Sequence, residues 1–346
     1  MDKQRVAVAI LNWNGRSWLE KFLPSVLEHS CEDANVYIID NASDDDSLAF
    51  VNERHPTVRI IQHHTNSGYT GGYNFGVERL EEEIVVLLNS DVEVTENWLK
   101  PLISAFDTDE KVAALQPKIL DQRHRDRFEY AGGAGGFIDW LGFPFCRGRI
   151  FQEVEKDEGQ YDKDMEVFWA SGACLAIRRA DFIEAGGLDT LFFAHFEEID
   201  LCWRLQRMGR KVMYSGRSVV YHVGGGTLSN LNPKKTYYNF RNNLFVLYKN
   251  LPGSWLWGVI FARLFMDGLA GLLFLMQRKP RHTLAVIRAH FSFYRHYGDL
   301  YKRRKALKTL PATWPVRDVY KGSVAIGFFL QGKRRFSQLK PSKLSH

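Results

Sequence analysis

One apolar segment runs directly into acidic side chains that could bind a metal ion or a charged ligand. Residues 84–88 are five consecutive Ile, Val and Leu residues, a pattern typical of a strand buried on both faces of a parallel sheet. Asn89, Asp91 and Glu93 follow this strand. Ligands of open α/β sheets bind beyond the carboxyl ends of the strands, so Asp91 is a candidate binding residue. An aspartate that only starts a turn is the alternative interpretation.

Three further acids could supply a general base. Glu197, Glu198 and Asp200 stand at the start of a predicted amphipathic helix, and residues 192–196 before them are mostly aromatic. Like charges this close raise one another's pKa, whereas a helix N-terminus favours anions. Acids in a first helical turn often only complement the helix dipole. The aromatic residues favour a position beside an apolar cleft.

A histidine ends one of the later predicted strands. His222 lies within residues 219–223, directly before the glycine run 224–226. A lone histidine is more often a structural hydrogen-bonding residue than a metal ligand. Its position at a strand end in front of flexible glycines makes it a candidate ligand.

The elements that would position these residues alternate regularly near the N-terminus. Strands are predicted at residues 6–11, 36–39, 58–61 and 84–88. Between them, helices are predicted at residues 18–29, in a segment that ends at about residue 54, and at residues 70–83. This alternation is typical of βαβ units and a parallel sheet. Each strand ends in polar residues, as a nucleotide-binding crevice requires. Asn12 and Asn14 follow the first strand, and Asp40 follows the second.

The glycine-rich residues 66–76 could approach a phosphate closely. Asn66 and Gly68 open this segment, but it matches neither a Walker loop nor a dinucleotide fingerprint. A plain glycine-rich turn is the alternative.

Residues 121–164 are less regular and predict a mobile insertion that shapes the acceptor side.

Composition indicates a globular protein with a markedly basic C-terminal part. The 346 residues are 45% hydrophobic and carry a formal net charge of +6. From residue 231 onward there are 22 Lys and Arg against three acids, whereas the preceding residues have 24 against 37. A basic tail favours an anionic partner, either a membrane surface or nucleic acid. A merely solvated charged face is the alternative.

Cysteine usage and the N-terminus predict a cytoplasmic location for the catalytic part. The four cysteines are widely spaced and include no Cys-x-x-Cys pair, which argues against a disulfide framework or a zinc ribbon. The apolar residues 6–11 are too short for the core of a secretory signal and no cleavage site follows them.

Taken together, five motifs in order resemble family 2 glycosyltransferases with the GT-A fold, particularly the bacterial rhamnosyltransferase-like branch. The resemblance runs from about residue 6 to 227, and its motifs are residues 12–15, 40–45, 66–76, 89–91 and 172–222. It implies a GT-A catalytic domain over residues 1–230, with a Rossmann-like mixed α/β sheet flanked by helices. Residues 231–346 would form a helical, membrane-associated tail.

The resemblance implies a nucleotide-binding role for several residues. Asp40 would accept the imide N–H of a uracil or thymine base, and Asn12 and Asn14 would line the nucleoside pocket. Asn66 and Gly68 would lie beside the nucleotide.

The resemblance also implies a metal site and a base. Asp91 is similar to the metal-binding acid of the family's Asp-x-Asp motif, although Asn89 stands where many relatives have an acid. His222 and Glu93 are further metal candidates. A diphosphate leaving group needs its charge neutralised, and Mg²⁺ or Mn²⁺ provides this, with histidine favouring Mn²⁺. Glu198 is similar to the family's base, with Glu197 and Asp200 as neighbours and Arg204 as a possible partner of Asp200.

The tail contains a segment that is long enough to cross a bilayer. Residues 255–276 are strongly apolar, but Arg263 and Asp267 count against simple insertion. The preferred interpretation is a helix in the membrane interface or in a hairpin, with Trp255 and Trp257 as anchors and basic residues 278–308 facing anionic lipid. A soluble helical subdomain or an oligomer interface is the alternative.

The sequence therefore predicts an inverting, metal-dependent glycosyltransferase that uses a UDP- or dTDP-sugar. Its acceptor would be lipid-linked or a growing polysaccharide, and it would act at the cytoplasmic face of a bacterial membrane without nucleic acid, with a homodimer as one option for its assembly. A nucleotidyltransferase is one rival, but it needs a basic glycine-rich triphosphate loop that residues 12–16 poorly match. A non-catalytic membrane or nucleic-acid adaptor is the other, and it leaves the acidic strand ends unexplained.

Overall fold

The computed structural model describes residues 4–224, 232–307 and 319–339, and a mixed β-sheet lies at its centre. The strands in this part of the chain are β1 Val6–Asn12, β2 Ala34–Asn41, β3 Arg59–His63, β4 Ile84–Asn89, β5 Val92–Val94, β6 Val112–Asp121, β7 Gly136–Asp139, β8 Pro144–Cys146, β9 Arg149–Ile150, β10 Glu153–Val154, β11 Met165–Glu166, β12 Cys174–Arg178, β13 Lys211–His222 and β14 Val319–Tyr320.

The order of the central sheet is β11-β13-β6-β12-β4-β1-β2-β3, and β5 pairs with β13 beside it. Strands β3, β2, β1 and β4 run parallel, β12 is antiparallel to β4 and β6, and β13 is parallel to β6. The carboxyl ends of β1, β2 and β4 therefore meet at one edge. The predicted α/β mixed sheet is confirmed.

Helices cover both faces of this sheet. Those in the described residues are α1 Arg16–Ser30, α2 Ser47–Arg54, α3 Gly68–Val77, α4 Leu99–Thr108, α5 Arg179–Glu184, α6 Glu197–Arg207, α7 Pro233–Asn250, α8 Gly253–Met276, α9 Pro280–Arg295, α10 Tyr297–Leu307 and α11 Val324–Phe329. Along β1, Val6, Val8 and Ile10 belong to the core on the side of α1 and α4, while Ala7 and Ala9 belong to the core on the side of α3 and α6. Burial on both faces explains the continuous apolar runs of these strands.

Two regions differ from the expectation. The sequence predicts two separate short strands at residues 211–214 and 219–223, whereas the structure has one long strand, β13 Lys211–His222, with a register shift between Ser215 and Val219. Residues 121–164 are not a loose insertion, because they supply most of a second sheet with the order β10-β9-β8-β7-β14. Its apolar side chains, such as Phe137 and Phe145, are buried. Alternating short strands with glycine turns are hard to distinguish from a loop by sequence periodicity alone.

The tail begins with a well-capped helix that packs on the catalytic body. Asn232 accepts a hydrogen bond from the backbone N–H of Lys234 (2.9 Å), and Pro233 is the first residue of α7. Helix α7 packs against α6 and α9, and β14 pairs with β7. The predicted domain boundary at residue 230 lies outside the described residues, as do Gly225 and Gly226, and the two-domain division stays a prediction.

Candidate active site

Strand pairing brings Asp91 and His222 together. Asp91 lies between β4 and β5, and His222 is the last residue of β13, where it pairs with Val92 of β5. His222 Nε2 is 3.1 Å from Asp91 Oδ1, and the backbone N–H of Val223 donates to the carbonyl of Asp91 (3.1 Å). Both side chains are largely buried. The sheet therefore positions two residues that lie 131 positions apart in the chain.

Glu129 completes this cluster, and sequence reasoning missed it. Its Oε1 lies 3.5 Å from His222 Nδ1, so the imidazole stands between two carboxylates. Burial alone would lower the pKa of His222, but Glu129 and Asp91 outweigh burial and raise it to about 10. A Cβ at Gly224, where φ is +64°, would lie only 2.6 Å from Glu129 Oε1, so this approach requires glycine.

The chemistry of these donors fits a divalent cation that shares its coordination with a diphosphate. Asp91 offers a carboxylate oxygen, and His222 offers an imidazole nitrogen if the metal displaces its proton. Over the described ranges no group of three or more His, Cys, Asp or Glu residues could hold a metal ion. A cation here would therefore need phosphate oxygens or water as additional ligands.

Glu93 is not brought to the Asp91–His222 pair. Both of its carboxylate oxygens accept hydrogen bonds from Arg125 Nη2 (2.7 Å), and Gln122 donates to Oε2 (3.3 Å). The Arg125 guanidinium also lies over the Tyr221 ring, 4.3 Å from its centroid. The partners of Glu93 explain its presence without a metal.

Asp40 and Asn12 order the loop that follows β2. Both are fully buried, and Asn12 Nδ2 donates to Asp40 Oδ1 (3.2 Å), Ser43 Oγ (3.0 Å) and Ser47 Oγ (2.9 Å). Asp40 Oδ2 accepts from the backbone N–H of Ser43 (3.2 Å). These contacts fix the first and second strand ends relative to each other.

Asn14 lies farther out in the same region. Its Oδ1 accepts from the backbone N–H of Asp44 (2.9 Å), and its own backbone N–H donates to Ser43 Oγ (3.0 Å). Asn14 and Asp44 are both exposed. They are the exposed members of this polar group, and the sequence assigned no binding role to Asp44.

Asn66 and Gly68 form the start of α3, and Asn41 holds them. Asn41 Nδ2 donates to Asn66 Oδ1 (3.0 Å) and to the carbonyl of Gly68 (3.0 Å). Gly68 has φ +72°, and a Cβ there would lie 2.7 Å from the ring of Phe193. Only glycine fits this position. The loop before α3 therefore contacts the segment that leads to the acids of α6.

The two glutamates at the start of α6 lie beside the end of the central sheet. A Cβ at Gly172 would be 3.8 Å from Glu198 Cβ, and the carbonyl of Gly172 accepts from the Tyr69 hydroxyl (2.7 Å). The next residue, Ala173, accepts at its carbonyl from the backbone N–H of Asn89 (3.0 Å), at the end of β4. Glu198 and the strand that leads to Asp91 thus flank the same short turn.

Burial shifts both glutamates toward their neutral forms. Burial raises the pKa of Glu198 to about 7. Burial, and then repulsion by Glu198, raises the pKa of Glu197 well above its ordinary value. Glu198 is half-buried, whereas Glu197 is buried, so Glu198 is the more accessible carboxyl group. A carboxyl group that is half ionised near neutral pH is suited to proton transfer.

The segment before α6 has an unusual backbone. Phe193, His195 and Phe196 have φ values of 63°, 68° and 72°, a left-handed conformation that is costly for residues other than glycine. Asn242 of α7 donates to the carbonyls of Ala194 (2.8 Å) and His195 (2.6 Å). Helix α7 thus holds the loop that positions Glu197 and Glu198, a function that the sequence did not reveal.

Asp200 is built into the interior. It is fully buried and accepts from Arg204 Nε (2.9 Å), Lys249 Nζ (2.8 Å) and Asn250 Nδ2 (2.8 Å). Burial would raise the pKa of Asp200, but Lys249 and Arg204 lower it to about 2. The predicted pairing with Arg204 is present. Because all its partners are protein groups, Asp200 ties α6 to α7 and does not reach the cleft.

Glycosyltransferases are among the known proteins whose sequences are similar to this chain. N-acetylglucosaminyl-diphospho-decaprenol L-rhamnosyltransferase of Mycobacterium tuberculosis is 28% identical over 222 residues, which cover 59% of this chain and 71% of the relative. The low-salt glycan biosynthesis hexosyltransferase Agl10 of Haloferax volcanii is 25% identical over 181 residues, 50% of this chain and 54% of that protein.

Solved glycosyltransferases share the fold. GalNAc-T7, determined with UDP, GalNAc and Mn²⁺, superposes with a TM-score of 0.54 at 18% identity, over 72% of this chain and 48% of that chain. The mannosyltransferase PcManGT of Pyrobaculum calidifontis, determined with GDP-Man and Mn²⁺, gives 0.51 at 14% identity, over 89% and 86% of the two chains. At these identities the likeness concerns the fold alone, and it confirms the predicted GT-A-like architecture.

A family model described as glycosyl transferase family 2 matches residues 7–186, more than half of the 346 residues. The match begins within β1 and ends after α5, so it includes both the strand that leads to Asp91 and the turn beside Glu198. The predicted family is confirmed, and this chain belongs to glycosyl transferase family 2.

Proposed function

We propose that this glycosyltransferase moves a sugar from a UDP- or dTDP-sugar to a hydroxyl group of a lipid-linked or oligosaccharide acceptor, with inversion and with a divalent metal. The observation that carries the proposal is the position of Glu198. This half-buried residue, whose Oε2 has no hydrogen-bond partner, lies beside the same turn as the strand that leads to the Asp91–His222 pair. One end of the sheet thereby offers a cation site and a base.

The residues divide the chemistry between them. Asp91 and His222 would hold Mg²⁺ or Mn²⁺, and the ion would neutralise the charge that develops on the departing diphosphate. Glu198 would take the proton of the acceptor hydroxyl as that oxygen attacks the anomeric carbon, a contribution of about 10²–10⁴-fold. A single base and in-line attack invert the anomeric configuration.

The nucleoside would bind beyond the ends of β1, β2 and β4. Asp40 and Asn12 order this edge, Asn14 and Asp44 are exposed on it, and α3 begins at Gly68, whose own N–H donates to Asn66 Oδ1 (2.9 Å). Asn66 and Asn89 would border the pocket. Glu197 would keep the surroundings of Glu198 poorly solvated, and Asp200 would fix the helix that carries both.

The relatives support the choice of substrates. The name of the mycobacterial relative specifies L-rhamnosyl transfer and a diphospho-decaprenol-linked sugar, and GalNAc-T7 and PcManGT were determined with nucleotides and Mn²⁺. An acceptor anchored in lipid would place this chain at an anionic membrane surface, and we propose the cytoplasmic face of a bacterial membrane. Nucleic acid is not required as a partner, and a homodimer is compatible with this function.

Paired substitutions separate the metal site from the base. Asp91→Ala should weaken Mn²⁺-dependent binding of a UDP- or dTDP-sugar, whereas Glu198→Gln should keep binding and lose transfer. Thermal stabilisation by a panel of nucleotide sugars with Mn²⁺ measures binding and identifies the donor. Glu184→Gln, an exposed acid of α5, is the matched control and should be fully active. A fully active Glu198→Gln would refute the assignment of the base.

A further inference from the structure

Helices α8 and α9 form a two-helix hairpin along the tail. Contacts between the helices follow an antiparallel course away from the turn that joins them: the Phe274 and His282 rings lie 5.3 Å apart, Thr283 Oγ1 donates to the carbonyl of Gly271 (2.8 Å), and His290 Nε2 lies 3.3 Å from Asp267 Oδ2. The C-terminal part of α8 thus packs against α9.

One face of the hairpin packs on the protein. Leu256, Val259 and Ile260 of α8 and Ala289 and Phe293 of α9 are buried. Helix α7 lies on this inner face. Its Thr236 hydroxyl is 2.8 Å from His282 Nδ1, and the Tyr237 hydroxyl donates to Ser292 Oγ (3.0 Å).

The opposite face is apolar and open. Of the 23 large hydrophobic side chains exposed in the described residues, thirteen belong to α8 and α9. Phe261 and Phe291 are 76% and 72% exposed. Soluble monomers rarely expose contiguous apolar patches larger than a few hundred square ångströms. The outer face, as we call this surface, consists of Trp255, Trp257, Phe261, Phe265, Leu269, Leu272, Leu273, Leu275, Met276, Leu284, Ile287, Phe291 and Tyr294.

A row of cations runs beside the outer face. Arg281, Arg288 and Arg295 recur every seven residues on α9 and all are exposed. Because seven residues make two helical turns, they lie along one edge of the helix. The sequence from 253 to 307 contains only two acids, Asp267 and Asp299, and Asp267 is buried. An apolar surface with a cationic edge is complementary to the interface of an anionic bilayer.

The buried charges of α8 argue against a helix that crosses the membrane. By length and composition α8 could span a bilayer. However, Arg263 and Asp267 form an ion pair (3.0 Å) on the inner face, and the Arg263 guanidinium lies 3.6 Å from the centroid of Phe143 in the catalytic body. Protein therefore covers one side of α8, and lipid could reach only the other side.

We propose that the outer face lies flat in the interfacial layer of an anionic bilayer, with α8 and α9 parallel to the membrane plane and neither helix crossing it. The inner face and α7 then connect the membrane to the catalytic body. This inference goes beyond the proposed transfer reaction, because the docking surface is independent of the donor, the metal and the base.

Vesicle flotation with the full chain tests the docking surface. The protein should float with vesicles that contain phosphatidylglycerol. Phe261→Ser combined with Phe265→Ser should lower binding at least about tenfold, because two apolar anchors are lost. Ile183→Ser removes an exposed apolar side chain from α5, away from the outer face, and should bind normally. Unchanged flotation of the double variant would overturn the proposal. Transfer to a water-soluble acceptor should survive in this variant, which separates the two proposals.

The arginine row and the topology have their own tests. Arg281→Gln, Arg288→Gln and Arg295→Gln together should weaken binding to anionic vesicles on the order of 10²-fold but leave binding to neutral vesicles nearly unchanged.

In a Cys31→Ser background, Arg278→Cys between the two helices should react with an impermeant maleimide added on the side of the catalytic body. Labelling only after detergent would mean that α8 crosses the bilayer. A stable dimer in solution that buries the outer face and does not float would also overturn the proposal.

Discussion

His222 Nε2 lies 3.1 Å from Asp91 Oδ1, so the last residue of β13 faces the acid that follows β4. The other ring nitrogen lies 3.5 Å from Glu129 Oε1. The imidazole is thus oriented by a carboxylate on the side that faces away from Asp91. This arrangement is typical of histidine ligands, whose second nitrogen is commonly held by a carboxylate.

Glu129→Gln should weaken metal binding without changing the ligand pair itself. Loss of a carboxylate behind a ligating histidine typically costs about 10–100-fold in metal affinity or activity. The Mn²⁺ concentration that gives half-maximal thermal stabilisation should therefore rise by this factor, and saturating Mn²⁺ should restore much of the transfer. His222→Ala, which removes the nitrogen ligand, should not be rescued. A normal Mn²⁺ dependence in Glu129→Gln would contradict the proposed role of His222.

The pH dependence of transfer should report the ionisation of Glu198. Burial raises the pKa of Glu198 to about 7, and the base acts as a carboxylate. We expect kcat/KM to rise with pH through about 7 and to level off above it. The residual activity of Glu198→Gln should lack this rise. An identical rise in the variant would assign the ionisation to another group.

Glu197 should make the folded protein less stable as pH increases. Burial and repulsion by Glu198 raise the pKa of Glu197, so the folded state binds a proton that the unfolded chain releases. This proton contributes fully to the free energy of unfolding below the pKa of Glu197 in the unfolded chain, about 4.3. The contribution is lost as pH rises toward the higher pKa of Glu197 in the folded state. Glu197→Gln should flatten this decline with pH, and it should raise the free energy of unfolding at pH 8 by on the order of 1–3 kcal/mol.

Urea denaturation from pH 4 to 8 measures the effect. Glu184→Gln, which changes an exposed glutamate, should keep the decline of the original chain. A steeper decline in Glu197→Gln would mean that Glu197 is ionised in the folded state.

The sequence predicted the parts of the fold that local pattern determines. Continuous apolar runs identified β1, β2 and β4, because strands buried on both faces have no polar alternation to obscure them. Asp91 was found because it follows such a strand, and His222 because it stands near the end of a predicted strand, directly before glycines. The helix predicted at residues 70–83 ends earlier, at Val77, and the polar residues that follow lead into β4.

The missed features depend on contacts between distant loops. Glu129 lies in an irregular segment, and the hydrogen bond from its backbone N–H to the carbonyl of Ile119 in β6 (3.0 Å) brings it near His222. Asn242 resembles any polar residue of an amphipathic helix until α7 packs on the loop before α6. Asp200 was grouped with its neighbours in sequence, but the helical turn directs it toward Lys249 and Asn250. Residue type and spacing do not encode such tertiary partners.

Asn242 should act as a positioning residue for Glu198. Its side-chain amide donates to the carbonyls of Phe192 (3.2 Å), Ala194 (2.8 Å) and His195 (2.6 Å), in a segment whose left-handed residues cost about 1–3 kcal/mol each. In Asn242→Ala this segment should relax and displace the start of α6. A displacement of about 1 Å can cost on the order of 10²-fold in rate, so kcat should fall. The KM for the donor should change little, because the proposed donor site lies at the strand ends.

Asn243→Ala is the matched control for this prediction. Asn243 is the next residue of α7 and is equally buried, but its amide donates to the carbonyl of Gly142 (2.6 Å), away from the loop. Both variants should lose about 1–3 kcal/mol of stability through an unpaired carbonyl. Only Asn242→Ala should lose kcat, and Asn242→Asp, which has the same shape but cannot donate to the carbonyls when ionised, should share the defect. Equal kcat losses in the two alanine variants would indicate a general effect of destabilising α7 and would remove the positioning role from Asn242.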